Sequence, residues 1–67
     1  MDISKKLGQQ IKALRLQKGL SQAKLANILN VHPTYISSIE RGVRNLTVKS
    51  VEKIAKALNF PIGTLLK

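Results

Sequence analysis

Apolar residues recur at helical spacing through the first part of the chain. Steps of four, four and three residues separate the members of one stripe, Ile3, Leu7, Ile11 and Leu14, and this period is typical of one buried helix face. The stripe predicts a helix from about Ile3 to Lys18. Gly8 inside it lowers helix stability by about 1 kcal/mol relative to Ala, so we interpret it as a point of close packing. Gly19 is expected to end the helix in the left-handed conformation.

A second, shorter helix is predicted directly after this glycine. Ser21 is a preferred N-cap residue, and Leu20 and Leu25 lie on either side of it at the spacing of a hydrophobic staple. Leu29 continues the inward face. Asn30 tolerates the left-handed conformation that ends helices, so we expect the second helix to close there.

A third helix is predicted from Pro33, which is favoured at the first helical position, until Gly42 ends it. Ile36 and Ile39 are expected to point inward, and the opposite side carries Thr34, Ser37, Ser38 and Arg41. His32 precedes the proline. We interpret it as a turn residue and helix cap, with a contact to a bound macromolecule as the alternative.

The rest of the chain predicts one longer helix and one short turn of helix. After a loop over residues 43–46, Thr47 is expected to cap a helix that Asn59 closes; its inner stripe is Val51, Ile54, Ala55 and Leu58. Pro61 opens the last turn. No segment alternates as a strand does. We therefore predict an all-α fold and a single domain over residues 1–67.

Charge gives the strongest indication of function. The sequence has twelve Lys and Arg residues and three Asp and Glu residues, which gives a formal net charge of +9. Such an excess favours a polyanionic partner, either nucleic acid or an anionic membrane surface; solubility alone is the alternative. The chain contains no Cys, which excludes disulfides and Cys-based zinc sites. It has neither a signal-peptide pattern nor an apolar run of about 18 residues, so we expect a soluble, cytoplasmic protein.

Few side chains are available for catalysis. The acids are Asp2, Glu40 and Glu52, and the single histidine is His32. No carboxylate pair, His cluster or Gly-rich phosphate loop can be assembled from them. We therefore expect no enzymatic activity, no metal, no cofactor and no small-molecule substrate. The only aromatic residues, Tyr35 and Phe60, are too few to favour base stacking on single strands or RNA.

The connection between the second and third helices has about three residues, Asn30 to His32. So short a connection forces a sharp angle, as in a helix-turn-helix over about residues 21–41. A plain helical hairpin is the alternative. The outer side of the third helix favours the first interpretation, because small polar residues let a helix sit deep in the major groove.

Five segments form a combined pattern: IKALR at 11–15, GLSQ at 19–22, LA at 25–26, YISSIERG at 35–42 and IAKAL at 54–58. Together they resemble the Cro/CI-type (Xre) helix-turn-helix family of phage and bacterial repressors, over nearly the whole chain. Residues 34–37 and 44–46 resemble in particular the controller proteins of restriction-modification systems. The resemblance implies a five-helix, lambda-repressor-like domain that regulates transcription by binding double-stranded DNA, commonly as a homodimer on an inverted-repeat operator.

The resemblance also implies which residues meet DNA. They are Ser21, Gln22, Pro33, Thr34, Tyr35, Ser37, Ser38, Arg41, Arg44 and Asn45. Gln22 would bond a phosphate and support the third helix, and Ser21 would act first as a helix cap. Thr34 and Ser38 would face base edges, while Tyr35, Arg41, Arg44 and Asn45 would contact the DNA backbone. Pro33 departs from the family pattern, because many relatives carry a base-reading Gln or Arg there; proline offers only apolar contact, for example to a thymine methyl.

Arg15 and Glu40 form the predicted structural ion pair. Arg15 lies four residues after Ile11, and Glu40 lies four residues after Ile36, so each is at the edge of a buried stripe. We expect the two to meet and to join the first helix to the third. A surface arginine and a lone glutamate are the alternative.

The C-terminal apolar residues are candidate dimer contacts, namely Phe60, Ile62, Leu65 and Leu66. The alternative is that they simply cap the core. Two other functions remain open at this point. An antitoxin would use the same domain to bind its promoter and a toxin, and an adaptor would use it to bind a protein partner. A membrane-surface peptide is disfavoured by the succession of capped helices.

Overall fold

A computed structural model describes residues 3–65, which form five helices and no strand. The helices are α1 (Ile3–Gln17), α2 (Gln22–Leu29), α3 (Pro33–Glu40), α4 (Val48–Leu58) and α5 (Ile62–Leu65). The all-α, five-helix architecture is therefore confirmed. Helices α2 and α3 pack on each other and α3 packs on α1, while α4 contacts α1, α2 and α5. Within residues 3–65, no helix has both the length and the apolar character needed to cross a bilayer.

Side chains cap the helices where the sequence predicts it. Ser21 Oγ accepts the backbone N–H of Lys24 at 3.0 Å, and Thr47 Oγ1 accepts that of Ser50 at 3.1 Å. Each bond satisfies one of the backbone donors that a helix start leaves without a partner, which stabilises the helix by about 1 kcal/mol. The starts of α2 and α4 are thereby fixed by local sequence.

The helix ends are also locally determined. Gly19 has φ +71°, and the N–H of Leu20 then donates to the carbonyl of Arg15 at 3.1 Å. Asn30 and Asn59 close α2 and α4 at φ 58° and 61°. These left-handed residues turn the chain sharply while their neighbours satisfy the last carbonyls of the helix. The sequence prediction of three such ends is confirmed.

One cluster of buried apolar side chains holds all five helices together. Its members are Ile11, Leu14, Leu25, Ala26, Ile36, Ile39, Val51, Ile54, Ala55, Leu58 and Leu65. The expected stripe of α1 is wrong at its first position, because the side chain of Ile3 is 76% exposed. The stripe runs one turn beyond the part of α1 that packs against the core.

The close approach expected at Gly8 occurs between the backbones of α1 and α3. A Cβ atom on Gly8 would overlap the carbonyl oxygen of Ile39 and lie 3.1 Å from that of Glu40. Only glycine leaves room for this contact. It fixes the distance between α1 and α3 without any side chain between them.

Candidate DNA-binding surface

The turn between α2 and α3 has the short, sharp geometry that the sequence predicts. Asn30 is left-handed at φ 58°, and the N–H of Val31 donates to the carbonyl of Ala26 at 2.9 Å. His32 then caps α3, because its Nδ1 accepts the N–H of Thr34 at 3.1 Å. The structure thus shows the turn-and-cap role for His32, and the two helices form a helix-turn-helix.

The outer side of α3 carries small side chains that are open to solvent. Pro33 and Thr34 are exposed in its first turn, Ser37 is half-buried one turn later, and Arg41 is exposed just after the helix. The hydroxyl of Thr34 lies 2.8 Å from His32 Nδ1. This face projects no long side chain before Arg41, so a flat or grooved polyanion could approach the helix backbone closely.

The start of α2 lies beside this face. Ser21 is exposed and Gln22 is half-buried. Gln22 Nε2 donates to Glu40 Oε1 at 3.1 Å. Gln22 therefore links the start of α2 to the end of α3, which is the supporting role predicted for it from the sequence.

Arg15 and Glu40 form the predicted ion pair between α1 and α3. Arg15 Nε lies 2.6 Å from Glu40 Oε2, and Arg15 Nη2 lies 3.0 Å from Glu40 Oε1. Both side chains are almost fully buried, at 7% and 3% exposure. Arg15 Nη1 also donates to the carbonyl of Leu20 at 2.6 Å. Every charged atom of the pair is hydrogen-bonded, as burial requires.

Ser38 does not lie on the outer side of α3, and this part of the prediction is wrong. The residue is 7% exposed. Its Oγ donates to the carbonyl of Tyr35 at 2.7 Å and accepts from Arg44 Nε at 2.9 Å. The physical reason is the segment after α3, which folds back so that the N–H of Val43 donates to the carbonyl of Ser38 at 3.2 Å.

The loop after α3 brings the last two predicted residues to the same side of the molecule. Arg44 is exposed, with its guanidinium carbon 4.8 Å from the ring centre of the half-buried Tyr35. Asn45 Oδ1 accepts from Ser4 Oγ at 2.9 Å. Sequence reasoning did not identify Ser4, because its partner lies 41 residues away and no local pattern marks such a contact.

Charge on this surface has one sign. Between residues 21 and 45 the only acid is Glu40, and Arg15 neutralises it. Lys24, Arg41 and Arg44 are exposed in the same segment. The helix-turn-helix and the loop after it therefore present positive charge without a compensating carboxylate, which favours a polyanion.

The candidate dimer residues divide into two groups. Phe60 and Ile62 are half-buried and line an open groove of about 440 Å³ between α4 and α5; Lys18 Nζ also lies 4.8 Å from the ring centre of Phe60. Leu65 is 2% exposed and belongs to the core, so its prediction as a dimer contact is wrong. Leu66 lies outside the described residues.

The chain is similar to known regulators over most of its length. Residues 11–65 match the protein family described as Helix-turn-helix. Control protein C.BamHI of Bacillus amyloliquefaciens is 52% identical over 88% of this chain and 74% of that protein. Control protein C.SmaI of Serratia marcescens is 42% identical over 98% of this chain and 79% of that protein.

A solved structure shows the same fold. The restriction-modification controller protein C.AhdI of Aeromonas hydrophila superposes with a TM-score of 0.87 and 37% identity, covering 92% of this chain and 94% of that chain. The family match, the relatives and the helix-turn-helix geometry agree. The chain therefore belongs to the helix-turn-helix family of DNA-binding transcriptional regulators.

Proposed function

We propose that two copies of this chain bind an inverted-repeat operator, each placing the outer side of α3 in a major groove. The observation that carries the proposal is the outer face of α3, where Pro33 and Thr34 are exposed and Ser37 is half-buried. Arg41 flanks this face, and no free carboxylate lies on it. Small polar side chains on a major-groove helix reach base edges, and cationic flanks contact phosphates.

The candidate residues have different roles at the DNA. Thr34 and Ser37 face base edges, and Pro33 gives apolar contact. Phosphates are contacted by Arg41, by Gln22 and by the exposed N-terminus of α2 at Ser21, where the N–H groups and the helix dipole favour an anion. Asn45 and Tyr35 contribute at the margin of the site.

Control of restriction-modification genes is the proposed biological role. Two relatives are named control proteins, and the solved neighbour is named a controller of restriction and modification. Under this proposal the protein works in the cytoplasm by occupying DNA and altering polymerase access, and it catalyses no reaction.

Dimerisation is proposed through the side of the molecule formed by α4 and α5. Phe60 and Ile62 are only partly covered there, and Ile28 on neighbouring α2 is 48% exposed. Two recognition helices related by a two-fold axis would read half-sites about 34–36 Å apart, which is one turn of DNA.

Selection of bound sites from random duplexes tests this function. We expect two short half-sites related by a two-fold axis, with centres about one helical turn apart. Thr34→Ala should relax the base preference at one position in each half-site. Gln17→Ala, at an exposed position at the end of α1, should return the same consensus. The proposal would be refuted if no duplex is enriched, or if the enriched duplexes contain a single half-site without its symmetry-related copy.

A further inference from the structure

Ser38 is a buried polar residue that direct DNA reading does not use. Its hydroxyl proton is committed to the carbonyl of Tyr35 at 2.7 Å, so its oxygen can only accept from Arg44 Nε, which lies 2.9 Å away. A serine hydroxyl has one donor and two acceptor positions. The direction of this bond is therefore fixed by the fold of α3.

Arg44 is held from a second side by an aromatic ring. Its guanidinium carbon lies 4.8 Å from the ring centre of Tyr35, within the range of a cation–π contact. The ring and the Ser38 hydroxyl together restrain an exposed side chain that would otherwise sample many rotamers. Within residues 3–65, the hydrogen bond to Ser38 involves only Nε of Arg44.

The geometry leaves one edge of the guanidinium available. With Nε occupied by Ser38, the Nη1 and Nη2 atoms form the end of the side chain that remains for a ligand. Parallel donors at that edge match two oxygens of a phosphate, or O6 and N7 of a guanine. An arginine already held in place loses less conformational entropy when it binds than a free one does.

We infer that Ser38 is a positioning residue that, with the Tyr35 ring, orders Arg44 before DNA is bound. This inference rests on the proposed function, because it takes Arg44, which is exposed in the loop after α3, to be one of the residues that contact the operator. It replaces the expectation that Ser38 itself reads a base. Ser38 acts only through Arg44 and never touches the ligand.

A double-mutant cycle on the full chain tests the inference, with the duplex that the wild type selects as probe. Ordering one long side chain is worth about two- to twelvefold in affinity, so Ser38→Ala should raise Kd by that factor. In an Arg44→Ala background the same substitution should change Kd by less than about twofold.

Arg41 supplies the matched control arginine, because it is exposed at the end of α3 and is not bonded to Ser38. In an Arg41→Ala background, Ser38→Ala should weaken binding as much as it does in the wild type. A second readout needs no DNA: the Arg44 Nε–Hε signal in a nitrogen-15 spectrum should move to the position of a free arginine in Ser38→Ala. Thermal melting of each variant establishes that binding is measured on folded protein.

Several results would overturn the inference. Ser38→Ala could leave Kd unchanged, or it could weaken binding equally with and without Arg44. It could also change the preferred base at a position where Arg44→Ala leaves the preference intact, as a direct contact of Ser38 would. If Arg44→Ala weakens binding only to duplexes with one particular base, guanine is the ligand of Arg44; if it weakens binding to all duplexes equally, phosphate is the ligand. Either result agrees with ordering by Ser38.

If the wild type selects no duplex, the proposed function itself fails, while the nitrogen-15 signal still tests the ordering of Arg44.

Discussion

Glu40→Gln is the substitution that tests the link between α1 and α3 most directly. Three donors converge on the two carboxylate oxygens: Arg15 Nε on Oε2 at 2.6 Å, and Arg15 Nη2 and Gln22 Nε2 on Oε1 at 3.0 and 3.1 Å. A glutamine has the same shape but one oxygen and one NH2 group. Whichever way its amide turns, the NH2 group points at a donor.

The expected loss is large because the site is almost closed to water. With side-chain exposures of 7% and 3%, the change leaves a buried guanidinium without its counter-charge, which destabilises by about 3–5 kcal/mol. A chain of this length has a total unfolding free energy of about 3–10 kcal/mol. A loss of 3 kcal/mol corresponds to a fall in Tm of about 12–24 °C.

Circular dichroism melts of the wild type and two variants measure this effect. Glu52→Gln is the matched control, because Glu52 is an exposed acid on α4 that makes no ion pair within residues 3–65; its loss should change the stability by less than about 0.5 kcal/mol. If Glu40→Gln has the same Tm as Glu52→Gln, the buried ion pair does not stabilise the fold and the prediction is wrong. A double variant that replaces both Arg15 and Glu40 by apolar residues should recover part of the loss.

Two further predictions concern the helix contact and the charge. Gly8→Ala should destabilise the fold by about 2 kcal/mol in a denaturant titration, because its Cβ overlaps the Ile39 carbonyl. This loss should outweigh the better helix propensity of alanine. Gly63 has open space around it, so the control Gly63→Ala should be neutral or stabilising by up to about 1 kcal/mol. An equal loss at both positions would refute the packing argument. If a dimer neutralises about eight phosphates, the logarithm of the affinity for DNA should fall with the logarithm of the salt concentration at a slope of about −7. A slope near zero in this titration would show that basic side chains do not neutralise phosphates in the complex.

Local sequence determined most of the fold. Ser21, Thr47, Gly19 and Asn59 act on their own helix ends, so their effects can be predicted without knowledge of distant contacts. The Arg15–Glu40 pair could also be predicted from the edges of two apolar stripes together with a family resemblance. These inferences depend on helical periodicity, which the structure preserves.

The errors arose where distant segments decide whether a side chain is covered. Ser38 lies on the polar side of α3 by periodicity, but the chain folds back after α3 and brings Arg44 onto its hydroxyl. Leu65 belongs to none of the predicted apolar stripes, and yet it is buried in the core. Ile3 fits its stripe but lies beyond the packed part of α1. Periodicity gives the direction of a side chain and cannot say what occupies the space it points into.

The division of α3 into an inner and an outer side has a consequence for engineering new specificities. Ile36 and Ile39 carry the packing, while Pro33, Thr34 and Ser37 are absent from the core. A library randomised at the three outer positions should leave the scaffold intact. Pro33 is the most informative of them, because a side chain with hydrogen-bonding groups there would add a base contact that the present protein lacks, and could retarget the same fold to a different site.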